Sequence, residues 1–237
     1  MTKTVSLLLL VIASASAGVI LWWIMATAHP LVPLPPELQR TGVAEQSAEL
    51  LNIKLKHNFQ TAGAELAIFG AMVVGAVGFV FSRSRAVAVR LLFVVLGMAI
   101  GAATGVLMAV TSSGLEPSIP IEWDPMVRSS LLWMAMLSEL AVAAALVASI
   151  AGFRNHAVSK LWVGAILGGL LAGVLFPLIA GMVFPYENAD PPVPAGTYSR
   201  IALFSLSMFM IIAMMARSGP SNVIAAKRDS EINPALE

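Results

Sequence analysis

There is no cysteine in the chain. Disulfides, thiolate metal sites and cysteine nucleophiles are therefore excluded. Charge is scarce as well: Asp, Glu, Lys and Arg make up 11% of the 237 residues, against roughly 25% in an ordinary soluble domain. Enzyme signatures are also missing. The sequence has no Walker loop, no G-x-S-x-G and no H-E-x-x-H. With only three histidines, no apolar segment holds the pair that would grip a haem within a bundle. We expect no enzyme activity and no cofactor. An acid/base pair open to the bilayer would be needed for a lipid-modifying enzyme, and no such pair stands out. The net charge of +1 gives no reason to expect a nucleic-acid partner.

Apolar residues are what the chain has in abundance, at 58%. They gather in six segments, at 5–28, 61–81, 91–110, 131–151, 161–184 and 198–216. Each is near the ~20 residues that cross a hydrocarbon core as a helix. The first contains "ASASAG", which resembles a signal-peptide cleavage site, but its apolar run continues through Ile20, Leu21, Trp22, Trp23, Ile24 and Met25. It reads as a retained helix. The expected fold is all-α: an integral membrane bundle of six transmembrane helices over 1–217, followed by a disordered cytoplasmic tail at 218–237.

Orientation follows from lysine and arginine. Lys3, Arg83, Arg85, Arg90, Arg154, Lys160, Arg217, Lys227 and Arg228 fall on one side, and the two turns there contain no acid. The opposite side carries Arg40, Lys54, Lys56, Arg128 and Arg200 among eight acids, from Glu37 to Asp190. Both termini are thus expected in the cytoplasm, the natural setting being a bacterial inner membrane. The three outer loops are rich in proline, which fixes φ and removes a donor. In the first, "AEQSAELLNIKLKHNF" reads either as a short helix lying in the interface or as an extension of the second span.

Small residues recur at helical spacing. "GMAIGAATG" puts Gly97, Gly101 and Gly105 on one face, and "GAILGGLLAG" supplies Gly164/Gly168 and Gly169/Gly173. Such faces let helix backbones approach closely in lipid. The 13 methionines fit no ligand triplet and read as flexible packing.

Two carboxylates stand inside spans. Glu139 lies in "WMAMLSELAVAAALV", roughly 12 Å below the outer entry of its helix at ~1.5 Å per residue. Glu65 lies in "TAGAELAIFG", about one turn shallower. An ionised carboxylate at such a depth costs several kcal/mol, so each should face the interior, stay protonated or find a partner. No lysine or arginine is placed deep in a span to pair with either. Glu139 and Glu65 are therefore the candidate ion or proton site, with hydroxyls from Ser138, Thr104, Ser14, Ser16, Ser205 or Ser207 to complete it. The alternative is that both are protonated packing groups. His29 and His57 flank the first outer loop and are weaker candidates, at its mouth.

The order of spans and loops is similar to that of a family of proposed cobalt transporter components. The nearest local likeness is "FPLIAGMVFPYENADPPVPAGTYSRIALFSL", at 176–206, which resembles that family's last helix pair. The histidine-rich metal-collecting loop common in the family has no counterpart, and Pro177–Leu178 replaces an expected histidine. The resemblance implies a multipass permease working with a small membrane partner. The reading is a permease, or permease subunit, for a small cation or proton, the cations including divalent metals such as cobalt, with a membrane-protein partner or a second copy of itself. The alternative is a non-transporting assembly or anchoring subunit of a larger membrane complex.

Overall fold

The computed structural model describes residues 3–27, 32–33, 35, 48–82, 85–152, 157–185, 191–194 and 196–218. His29 and the tail at 219–237 lie outside them. The described chain is helical, with no strand among its residues: α1 (Lys3–Thr27), α2 (Ala48–Phe81), α3 (Val87–Leu115), a 3-10 turn at Glu116–Ser118, α4 (Pro125–Gly152), α5 (Ala157–Val183) and α6 (Thr197–Ser218). Five helices are long and apolar enough to cross a membrane: Asn52–Phe81, Val87–Ser118, Pro125–Ala151, Val158–Val183 and Thr197–Arg217. The described apolar part of α1, Val11–Thr27, is shorter. This architecture fits a multipass membrane protein.

The "AEQSAELLNIKLKHNF" stretch resolves in favour of the longer second helix. From Ala48 onward it is continuous with α2, which has 34 residues. Nothing between Ala48 and Phe81 breaks a helix: there is no proline, and of its four glycines Gly70, Gly75 and Gly78 lie close against α3 while Gly63 faces open space.

The helices pack in a definite order. α2 lies most extensively on α3, α4 on α5, and α5 on α6; α1 leans on α6 and barely on α2. α4 is central, with 61% of its most apolar stretch buried, against 22% for α3. Leu91, Leu92, Val95, Val106 and Leu107 of α3 point away from the bundle, an outward apolar face of the kind that suits acyl chains. Inside, Trp133 is fully buried and meets Phe176 edge-on at 5.2 Å between ring centroids.

Glycine sets the α2–α3 distance, as its spacing predicts. A Cβ on Gly97, Gly101 or Gly105 would fall on the carbonyl of Val74, Gly70 or Leu66 respectively. On α5 the described glycines divide as their sequence pairing has it. Gly169 and Gly173 lie against Leu137 and Met134 of α4, whereas Gly168 lies against Met210 of α6. One residue step rotates a helix by about 100°, so neighbouring glycines admit different partners.

The helix ends are held by side chains. At the short-turn end, Ser82 donates from both Oγ (2.5 Å) and its backbone N (3.2 Å) to Gly78 O. Arg85 Nε donates to Ala151 O at 3.3 Å in the last turn of α4, tying the two short-turn connections together. Cationic donors suit the exposed carbonyls of a helix C-terminus. At the long-loop end, Asp124 Oδ1 accepts from Met126 N at 2.8 Å and caps α4, with Pro125 in the first helical position.

Candidate functional site

The two span carboxylates sit in different surroundings. Glu139 is half-buried on α4 and takes a hydrogen bond on Oε1 from Thr111 Oγ1 of α3 at 2.5 Å. That distance is at the short end for O–H···O bonds. Oε2 of Glu139 is buried and has no hydrogen-bond partner. No ion pair reaches Glu139 among the described residues. Thr111 is one turn from the end of α3 at Leu115, so the pair bridges α3 and α4 toward the long-loop end.

Glu65 is only 3% exposed, and it has a counter-charge. Arg200, in the first turn of α6, brings Nη2 to 3.4 Å from Glu65 Oε2. The expectation that no arginine would be placed to pair with either acid is thus corrected. The physical reason is reach. Arg200 stands at the end of its span by backbone position, but its long side chain runs along the apolar surface to the acid. The separation exceeds the ~2.7–2.9 Å of a tight charge-assisted bond, so we read it as an ion pair. Arg200 Nε donates to Pro194 O at 2.6 Å, which fixes the guanidinium between the 191–194 strap and α2.

Glu65 and Glu139 are therefore held by different helices: one by α6, the other by α3. No hydrogen bond joins them. Of the hydroxyls expected near them, Ser138 donates to Ala135 O and Thr104 to Ile100 O, each within its own helix. Ser14, Ser205 and Ser207 have hydroxyls without a hydrogen-bond partner, and Ser205 lies against Gly18 at the α1–α6 contact.

His57 is on α2, eight residues before Glu65, and Thr61 stands midway. Positions four apart share a helix face. His57 Nδ1 and Thr61 Oγ1 are both buried without a hydrogen-bond partner. The polar face of α2 therefore descends from His57 through Thr61 to the Glu65–Arg200 pair. Among the described residues, no group of three or more His, Asp or Glu side chains is gathered as a metal would require.

Thr111, Arg200 and Thr61 are the site residues that sequence reasoning did not single out. For Thr61 a signal existed in the spacing from His57 and Glu65. For Arg200 it was the arginine within the first turn of an apolar span. Thr111, in "VTSSG", had none, because nothing in the sequence sets the register of α3 against α4.

No family model matches the chain, and no curated protein or solved structure is similar enough to show a relationship.

Proposed function

We propose that the chain is a six-span permease, or the membrane component of one, for a small cation, with Glu139 as the group that binds and passes it. The observation that carries this reading is Glu139 itself. It is a carboxylate inside an apolar helix, with one oxygen held by Thr111 and the other buried and unpartnered. Such a group in a span is a functional-site hypothesis by default. A single carboxylate with one hydroxyl suits a proton better than a divalent metal, which takes several oxygen or nitrogen ligands. The cation reading is accordingly narrowed from cobalt to the proton.

In this scheme both termini are cytoplasmic, the membrane is a bacterial inner membrane, and the long-loop end faces outside. The His57–Thr61 face leads inward from that end. The Glu65–Arg200 pair is a strut beside the entrance rather than a binding group, since its charges already answer each other.

One observation favours the other reading, a non-transporting assembly or anchoring subunit. Of the two cavities described, one is apolar, between α1, α2 and α6, and the other opens at the long-loop end; neither is lined by Glu65 or Glu139.

Proton and metal-ion flux into proteoliposomes tests the proposal, comparing the wild-type chain with Glu139→Gln, which keeps the shape and removes the titrating group. Wild-type proton flux that the folded variant lacks supports it. Equal flux from both sinks Glu139 as the relay. No flux from either, with the chain recovered in a larger complex, favours the assembly role.

A further inference from the structure

A second polar site lies at the long-loop end, away from both span carboxylates. It is a cavity of about 140 Å³, lined by Glu116, Pro125, Arg128, Ser129, Leu132 and Pro191. Three features build it. The 3-10 turn after α3 brings Glu116, the first turns of α4 bring Arg128 and Ser129, and the 191–194 strap closes one side with Pro191.

Two polar atoms of this cavity lack hydrogen-bond partners among the described residues. Arg128 Nε is buried and makes no hydrogen bond. Ser129 is only 6% exposed, and its hydroxyl is likewise unsatisfied. A buried polar atom left in this condition has lost its water without gaining a partner, which a ligand would supply. Glu116 lines the same space, yet it forms no ion pair with Arg128 among the described residues. An acid and a guanidinium that share a cavity without touching leave room for something between them. The cavity lies at the N-terminus of α4, whose backbone amides add positive potential.

The rim indicates where that something comes from. Ile121 is 79% exposed, and Trp123, Met126 and Val127 are exposed beside it. These apolar side chains belong to the connection into α4 and to its first turn. A tryptophan among exposed apolar residues at the end of a span marks the headgroup level of a bilayer. In a bilayer the cavity would therefore open at the level of the lipid headgroups.

We infer that this cavity binds the headgroup of a phospholipid carrying a primary ammonium, with the phosphate on Arg128 and Ser129 and the ammonium on Glu116. Arginine and a hydroxyl are apt phosphate donors. Glu116 supplies a carboxylate whose charge the ammonium of a phosphoethanolamine group answers, whereas the hydroxyls of a phosphoglycerol group offer it only neutral hydrogen bonds. The acyl chains then run down beside Met126 and Val127. The site is independent of Glu139 and of any transport reading.

The test uses the full chain in detergent micelles and native mass spectrometry. The probes are dihexanoyl phosphatidylethanolamine, phosphatidylcholine, phosphatidylglycerol and inorganic phosphate. Wild type should retain the ethanolamine lipid in preference to the other two. Arg128→Gln should weaken retention of all three lipids about tenfold, as expected for loss of a hydrogen bond to a charged group. Glu116→Gln should leave phosphate-dependent binding intact but abolish the preference for ethanolamine. Circular dichroism confirms that each variant is folded, and Ser129→Ala provides a milder second variant. The inference is overturned if wild type shows no lipid preference. It is also overturned if folded Arg128→Gln and Ser129→Ala retain lipid as wild type does. Displacement of the lipid by an equal concentration of inorganic phosphate would make this a free-anion site and overturn it as well.

Discussion

Arg200 meets Glu65 at 3.4 Å, and one turn further along the same two helices Phe204 packs on Phe69 with ring centroids 4.7 Å apart. The two contacts share one register, four residues apart on α2 and on α6. The ion pair and the ring pair together lock α2 and α6 side by side, although these helices make little other contact.

Removing one member of this ion pair takes from the other its counter-charge across the α2–α6 contact. For fully buried pairs that loss costs about 3–5 kcal/mol. Arg200 retains 21% of its side-chain exposure, so we expect on the order of 2–3 kcal/mol for Glu65→Gln or Arg200→Gln. The double variant Glu65→Gln/Arg200→Gln should lose less than the sum. Unfolding titrations of the four proteins in mixed micelles measure the coupling. Additive losses would show that the pair is an accident of proximity.

Gly101→Ala and Gly105→Ala should push α2 from α3, because each new Cβ meets backbone that has no rotamer to yield. Overpacking of this kind costs about 1–3 kcal/mol. Gly114→Ala is the control on the same helix, where nothing lies within 4 Å of the added carbon. It should be neutral or stabilising by up to ~1 kcal/mol through helix propensity. Thermal melts in detergent would separate the two classes.

Thr111→Val removes the donor to Glu139 with little change in shape. If Glu139 is the relay, proton flux should fall about tenfold, since a hydrogen bond to a charged group contributes about 1.5–3 kcal/mol. Thr111→Ser should restore most of it. Flux unchanged by Thr111→Val would mean that the bond between α3 and α4 plays no part in moving the proton.

Asp124→Ala strips the cap from α4. Loss of such a cap typically costs about 1 kcal/mol. Because Asp124 is separate from the span carboxylates and the Glu65–Arg200 pair, flux should be unaffected. Hydrogen exchange at the amides of Met126 and Val127 should quicken locally, and uniform protection there would contradict the capping role.

Much of the bundle could be read in the sequence, because lipid imposes a simple rule: an apolar run of sufficient length becomes a helix. The helices around Glu65, Gly101, Glu139, Gly168 and Ser207 follow from that rule. Their ends follow less closely. α2 begins at Ala48 rather than near Thr61, since the charged Lys54 and Lys56 interrupt hydropathy without interrupting a helix. The α2–α3 seam was legible in Gly97, Gly101 and Gly105, because close approach needs small residues at a fixed spacing. The partners of the carboxylates were not. Arg200 and Thr111 reach Glu65 and Glu139 through interhelical register, and no pattern within a single helix encodes register. Hydropathy likewise leaves Arg200 at the outer edge of its span, because it does not see the length of the side chain.

α1 finds its main neighbour in α6, with Gly18 seated against Ser205. In a chain made from one end to the other, these two emerge first and last of the six helices. Roughly 170 residues separate them, which takes on the order of 10–30 s at the usual speed of synthesis. Throughout that interval the seat for α1 does not exist, and its small-residue face, with Ser14 and Gly18, must wait for its partner. The seat of α1 is therefore completed only when α6 is made, and truncation anywhere before α6 should leave α1 adrift even though every residue of α1 has been made.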